Sequence, residues 1–332
     1  MARYDPIPSN CWQGRVDGDT QEVLRWHQVV QCIDLANETL PVIMNEHQQG
    51  VCFIGFCSDE GVERNKGRIG AKSGPAAIRK ACVNLPVIAS HILMIDVGDV
   101  ICDHKDLETA QQMLGAKIKR IRQANFLPVV IGGGHEVAYG NFLGLEPFEQ
   151  KLEFGIINFD AHFDLRKIET SIGATSGTGI WQVSEFCKKK SMPFHYLSLG
   201  IQRYSNTRQL FEMADKMDAI YFLAEDLYET NAEQIIKVVN GIISNADMLQ
   251  LSIDMDVFAA AYAPGVSATS YNGITPDNLF KRIIRHVVLS GKVATVDIAE
   301  TNPLFDIDAR TANLAASIIF DIIQAADVNA EF

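Results

Sequence analysis

Short apolar, β-rich runs alternate along this chain with segments of helical periodicity, and that alternation limits the fold more than any other feature. The runs are Val51 to Phe56, His91 to Val97, Pro128 to Ile131, Phe154 to Phe159, Tyr196 to Gly200, Ala219 to Leu223, Met248 to Ile253 and Val293 to Ile298. Helical spacing of apolar residues marks Leu107 to Gln123, Asn206 to Met217, Ala232 to Ser244, Pro276 to Leu289 and Arg310 to Ile323. Strands joined through helices pair in parallel by right-handed crossovers, and helices then cover both of their apolar faces. The expected class is α/β: three layers, α/β/α, around a mostly parallel sheet of roughly eight strands. No Pro/Gly/Ser-rich linker, low-complexity tract or internal repeat divides the chain, so one domain over 1–332 is expected, with residues ~1–45 as a peripheral extension.

Open parallel sheets bind ligands outside the carboxyl ends of their strands, and there this chain concentrates acids and imidazoles. His135 follows the Pro128 run, Asp160, His162 and Asp164 follow the Phe154 run, Asp254 and Asp256 close the Met248 run, and Glu300 follows the Val293 run. If Asp160-Ala161-His162-Phe163-Asp164 is extended, its three metal-competent side chains project to one face while Ala161 and Phe163 turn away. Crowded carboxylates are costly without a cation. The six groups His135, Asp160, His162, Asp164, Asp254 and Asp256, four carboxylates and two imidazoles with no thiolate, therefore read as metal ligands suited to Mn2+, with Zn2+, Fe2+, Co2+ or Ni2+ as substitutes. With bridging carboxylates such a set suits two ions about 3.5–4 Å apart, an arrangement that activates water for hydrolysis.

Each piece alone has a plainer meaning. Gly132-Gly133-Gly134-His135-Glu136 also looks like the start of a phosphate loop, yet it lacks a GK[ST] ending and the GxGxxG spacing. His135 by itself fits an ordinary helix-start histidine, and Asp254 with Asp256 fits a turn pair. The Gly173 to Gly179 stretch reads as a loop beside the site.

Charge and cysteine content narrow the class further. A net charge of −12, with no basic run longer than Lys188-Lys189-Lys190, argues against a nucleic-acid partner. No stretch approaches the ~20 apolar residues of a membrane helix, and the N-terminus lacks a signal-peptide core, so no membrane partner and a cytoplasmic location are expected. Seven scattered cysteines without a CxxC pair read as reduced thiols, and a redox role for Cys57, Cys82 or Cys187 has no motif behind it.

From about Gly61 to the end, the chain resembles the arginase/agmatinase ureohydrolase family, whose GGxHE, DAHxD, SxDxD and E-x-N-P segments are matched in order by the runs at His135, Asp160, Ser252 and Glu300. The resemblance implies the arginase/deacetylase-like fold, two Mn2+ ions per subunit and a trimeric or hexameric homo-oligomer. It also implies that Asp160 and Asp254 bridge the ions, that His135 and Asp164 complete one site, and that His162 and Asp256 complete the other. Glu300 falls on the family's substrate-facing glutamate.

Gly61 to Arg68 and Ala261 to Ala268 look like the branch of the family that hydrolyses N-formimidoyl-L-glutamate to L-glutamate and formamide in histidine degradation. Ser176-Gly177 stands where arginases and agmatinases carry His-Gly, and Gly179-Ile180-Trp181 departs from that branch's usual residues. The small-molecule substrate implied carries two carboxylates beside a planar amidinium. Arg166 is the first candidate to bind a carboxylate, since a guanidinium offers a bidentate fork. Arg203, Asn206, Arg68 and Lys66 are further candidates, and Asp256 is the candidate proton carrier. The alternatives are an agmatinase or guanidino-acid hydrolase releasing urea, for which the missing histidine and Arg166 are unfavourable, and a non-catalytic regulatory relative, which would be expected to lose ligands.

Overall fold

The computed structural model describes residues 2–44, 49–89, 91–145 and 152–327. Ten strands form one sheet: β1 Arg3–Asp5, β2 Gln31–Cys32, β3 Gln49–Cys57, β4 Ile92–Ile101, β5 Leu127–Ile131, β6 Phe154–Phe159, β7 Phe194–Ile201, β8 Ile220–Leu223, β9 Met248–Asp254 and β10 Val293–Ala299. Their order is β1-β4-β3-β5-β10-β9-β6-β7-β8, with β2 also pairing β4. Only β1 runs antiparallel to its neighbour; every other pairing is parallel. All eight expected runs become strands, and the layered α/β architecture follows from them.

The helices among the described residues are α1 Trp26–Val29, α2 Glu60–Arg64, α3 Gly74–Cys82, α4 Leu107–Gln123, α5 Val137–Leu143, α6 Gly179–Lys189, α7 Arg208–Lys216, α8 Ala232–Asn245, α9 Asn278–Leu289 and α10 Arg310–Ala326. They cover both faces of the sheet. On β5, Val129 and Ile131 pack into the layer that includes Ile78 of α3, Ile283 of α9 and Ile319 of α10, while Val130 between them joins Leu114 and Ile118 of α4. Burial on both faces explains why these strands read as unbroken apolar runs rather than alternating ones. It also explains why α5 escapes periodicity: Val137, Ala138, Gly140, Asn141 and Phe142 are all buried, so the helix has no polar face to set a period.

The eight expected strands are extended to a ten-stranded, mostly parallel sheet, and the first ~45 residues pack against it. Both added strands come from that segment and pair β4, while Trp12 and Trp26 are only 5% and 2% exposed beside Phe53. Trp12 Nε1 donates to Asp96 Oδ2 at 3.0 Å. Buried Arg79 ties that carboxylate (2.7 Å) and Asp99 (2.6 Å) to α3. Strands of two or three residues carry no periodic signal, so only these long-range contacts reveal them.

One register carries forward to the site. Along β9, Gln250, Ser252 and Asp254 alternate with Leu249, Leu251 and Ile253, which puts three polar side chains on one face of a fully buried strand. Pairing sets Gln250 beside Thr295, Ser252 beside Asp297, and Ser252 beside Asn158 on the other edge.

Candidate metal centre

The carboxyl ends of β5, β6, β9 and β10 open into a cavity of about 320 Å3 whose lining includes His135, His162, Asp164, Asp254, Asp256 and Glu300. Asp160 is wholly buried directly below them. Four separate strand ends thus bring together the groups that the chain holds far apart in sequence.

How Asp160 to Asp164 converge differs from the extended geometry expected. Strand β6 stops at Phe159, and the next residues curl. His162 N donates to Asp160 Oδ1 at 2.6 Å, Ala161 N faces Asp256 Oδ1 at 3.4 Å, and Asp164 takes a left-handed backbone with φ 51°. The turn is preferred because its amides find side-chain acceptors that a continuing strand would not supply. Ala161 and Phe163 do point into the core, at 0% exposure. Asp254 is both a cap and a site residue: its Oδ1 accepts from Asp256 N at 2.8 Å and starts the turn that aims Asp256 at the cavity.

The donor atoms form two compact groups sharing one member, His135 with Asp160 and Asp164, and Asp160 with His162 and Asp256. His135 Nδ1 lies 2.7 Å from Asp164 Oδ2, 3.0 Å from Asp160 Oδ2 and 3.4 Å from Asp254 Oδ2, with no hydrogen bond to any of them. His162 Nδ1 lies 3.0 Å from Asp256 Oδ2. Asp254 stands beside the first group rather than within either.

Whether these residues fit a cation is tested by what they do without one. Burial, then Asp256 and Asp160, push the Asp254 carboxyl well above its ordinary range, and burial with Asp160 raises Asp164. Burial disfavours charge on both imidazoles, yet the neighbouring carboxylates raise His135 and His162 well above the usual histidine value. Burial, Glu136 and Asp256 push Glu300 up to about 8. No Lys or Arg pairs with any of these acids among the described residues. Crowded oxygen donors without a counter-cation are what a divalent-ion site requires, and the donor set fits hard-to-borderline metals.

The cavity rim decides among the candidates for substrate contact. Arg166 and Lys66 both line it, both are exposed, and neither side chain has a hydrogen-bond or ionic partner among the described residues. Lys66 also holds a left-handed backbone at φ 61°, as Asp164 and Glu300 do; strained positions of this kind gather where surrounding contacts over-determine them. Arg68 lines the cavity, but its guanidinium donates to the Ser267 carbonyl at 2.9 Å and the Val266 carbonyl at 2.6 Å and covers the Phe305 ring.

Two candidates fall elsewhere. Arg203 pairs with Glu225 at 2.9 Å in a separate groove beyond β7 and β8. Asn206 is buried and fully committed: Nδ2 donates to the carbonyls of Ala161 and Gln202, both at 2.8 Å, and Oδ1 accepts from Phe163 N at 3.1 Å. It holds the curled loop and does not face the cavity.

Residues not named as candidates, most of them from the segments that carry the family resemblance, complete the site. Asn65, Ser176, Gly177 and Ser267 line the cavity, with Asn65 Nδ2 donating to Ser176 Oγ at 3.1 Å. Glu136 braces the Gly61 loop, accepting from Ser58 Oγ at 2.8 Å and Gly61 N at 3.0 Å. Behind His135, its Nε2 lies 2.9 Å from Ser252 Oγ, which donates to Asp297 Oδ1 at 2.6 Å; Asn141 Nδ2 and Gln250 Nε2 donate to Asp297 Oδ2 at 2.7 and 2.8 Å. The alternating polar residues of β9 were the available signal for this group. The cysteines offer no competing chemistry: burial raises the thiols of Cys57 and Cys82 and pushes Cys187 up to about 12, away from the reactive thiolate.

With this geometry in place, likenesses to other proteins become informative. Residues 49–324 match the model of the arginase family. A formimidoylglutamase of Clostridium tetani is 40% identical over 327 residues, covering 97% of this chain and 96% of the relative. Among solved structures, the formimidoylglutamase of Bacillus subtilis superposes with a TM-score of 0.80 at 19% identity, covering 94% of each chain. A Trypanosoma cruzi formiminoglutamase solved with Mn2+ gives 0.73 at 24% identity, covering 86% of this chain and 96% of that one. No helix among the described residues is long and apolar enough to cross a membrane.

Proposed function

This chain belongs to the arginase family, and we propose that it hydrolyses N-formimidoyl-L-glutamate to L-glutamate and formamide, a step of histidine degradation, as a binuclear metal hydrolase. One observation carries the reading: a single cavity is lined by carboxylates and imidazoles and by two cations, Arg166 and Lys66, whose side chains have no partner among the described residues. The near full-length likeness to a formimidoylglutamase supports it.

Two Mn2+ ions, or other divalent transition metals, would be held by Asp160, Asp254, His135, Asp164, His162 and Asp256. When bound, the ions supply Lewis-acid polarisation and activation of water at neutral pH. The chain's own groups then act as follows. Glu300 accepts from His135 N at 3.1 Å through Oε1, which leaves Oε2 without a partner and free to accept from the N–H groups of the planar formimidoyl cation. Arg166 and Lys66 pair with the two carboxylates of the glutamate moiety, Arg166 through its fork. Arg68, tied to the Ser267 and Val266 carbonyls, lines the same cavity.

Water oxygen adds to the formimidoyl carbon. The Asp256 carboxylate takes a proton from that water and passes it to the glutamate nitrogen. The C–N bond to that nitrogen then breaks, the adduct hydroxyl becomes the formamide carbonyl, and its proton ends on the departing amine as the glutamate ammonium. A cationic substrate such as agmatine would meet Arg166 and Lys66 with like charge, which disfavours the urea-releasing reading. We read residues 1–332 as one domain, acting in the cytoplasm as a trimer or hexamer.

The test is an assay of Mn2+-loaded protein against formimidoylglutamate, agmatine, arginine and guanidinobutyrate, with formamide, ammonia and urea detected separately. Formamide from formimidoylglutamate is expected. Urea from agmatine without formamide from formimidoylglutamate would overturn the proposal.

A further inference from the structure

We infer that Asp297, acting through Ser252, is a positioning residue for His135: it decides which ring nitrogen carries the proton and so leaves Nδ1 free as a metal donor. The inference rests on the metal-site reading above and adds two residues to it.

The argument is one of hydrogen-bond accounting. Asp297 Oδ2 accepts from Asn141 Nδ2 at 2.7 Å and Gln250 Nε2 at 2.8 Å, and Oδ1 accepts from Ser252 Oγ at 2.6 Å. Three donors converge on one carboxylate, and all four residues are 0% exposed, so no water competes. A serine hydroxyl has a single proton. Once Ser252 donates it to Asp297, Ser252 Oγ can only accept at its 2.9 Å contact with His135 Nε2. The proton of the neutral ring therefore sits on Nε2, which leaves Nδ1, facing Asp160 and Asp164 without a hydrogen bond, as the ring's donor atom.

Asn141 is itself locked, since its Oδ1 accepts from Thr295 Oγ1 at 2.7 Å and its amide must therefore donate to Asp297. Parallel register holds the chain of contacts in place by setting Ser252 directly beside Asp297 and Gln250 beside Thr295. His162 has no such support: its side chain is 25% exposed, and its Nε2 makes no hydrogen bond among the described residues. The relay thus serves one of the two donor groups and not the other.

That asymmetry supplies the test. Binding of Mn2+ is measured by titration calorimetry and metal analysis for the wild type, Asp297→Asn, Ser252→Ala and the double variant, with thermal unfolding of each metal-free protein as a folding control. In Asp297→Asn the amide oxygen must stay under Asn141 and Gln250, so its NH2 faces Ser252, the chain of donors reverses, and the ring proton moves to Nδ1. Loss of a partner behind a metal-binding histidine lowers affinity about 10–100-fold. The expected result is such a loss for one of two ions in Asp297→Asn, a smaller loss for the same ion in Ser252→Ala, and a double variant no worse than Ser252→Ala because the reversed donor has nothing to act through.

In the wild type loaded with diamagnetic Zn2+, nitrogen-15 spectra of labelled histidine should show the His135 proton on Nε2. A proton on Nδ1, unchanged affinities in Asp297→Asn, or equal weakening of both ions would each overturn the relay. Wild-type protein that fails to bind two equivalents would instead overturn the metal-site reading itself.

Discussion

Replacing Arg166 by Ala tests the proposed substrate contact separately from the proposed metal site. In the free protein its side chain makes no hydrogen bond or ion pair among the described residues; its backbone N–H donates to the Gly177 carbonyl at 3.0 Å and survives the change. Stability should therefore move by no more than about 0.5 kcal/mol, and metal content should not move at all. If the guanidinium grips a substrate carboxylate, its charged hydrogen bonds contribute about 1.5–3 kcal/mol. Arg166 is exposed at the rim, where solvent screens the interaction, so the lower part of that range, about 1.5–2 kcal/mol, applies.

At about 1.4 kcal/mol per tenfold, the expected loss in kcat/KM is about 10–30-fold. A grip on a group remote from the reacting carbon holds substrate and transition state alike, so the loss should appear in KM with kcat nearly unchanged. Steady-state formamide release by Mn2+-loaded protein measures both, with Arg203→Ala as a control that should behave as wild type because Arg203 pairs with Glu225 away from the cavity. Arg166→Lys should recover part of the loss, since it restores the charge without the fork. A kcat/KM within twofold of wild type, or a loss carried by kcat at constant KM, would refute the assignment.

Other expectations concern the metal and the scaffold. Asp160→Ala removes the carboxylate common to both donor groups, so bound metal and turnover should vanish together; at an Mn2+ concentration of about 100 Kd, the wild type should gain about 2.7 kcal/mol of stability that the variant lacks. Metal-dependent turnover in that variant would remove Asp160 from the bridging role. Gly133→Ala would drive a Cβ into the Ser58 carbonyl, which is backbone and cannot swing aside; about 1–3 kcal/mol of stability should be lost in urea denaturation, together with weakened metal binding. Arg79→Met leaves the buried Asp96 and the partly buried Asp99 without their cation, at about 3–5 kcal/mol. An unfolding midpoint equal to wild type would show that this pair does not hold the N-terminal segment to the sheet.

Legible in the amino-acid sequence were the layered α/β class and the set of side chains that gather at the candidate site. Both rest on local pattern: apolar runs of strand length separated by helical periodicity force parallel pairing, and parallel pairing sends every strand's carboxyl end to one edge. His135, Asp160, Asp254 and Glu300 each follow or close such a run, so their meeting could be read without coordinates. The tertiary structure alone decided three other matters. Asp160 to Asp164 converge by a turn rather than by strand alternation, because amides of that loop are taken by Asp160 within it and by Asp256 and Asn206 from two other segments.

Arg166 and Lys66 face the cavity, while Arg203 and Asn206 are spent on Glu225 and on loop carbonyls. The sequence ranks Arg166 first but does not separate Lys66 from Arg203 and Asn206; competition among partners distant in the chain does. Last, Ser252 stands behind His135 because β9 and β10 pair in one register, 45 residues apart in the chain. Periodicity reports which face of an element a residue occupies. Which neighbour it meets there is set by long-range pairing, and no local pattern encodes that distance.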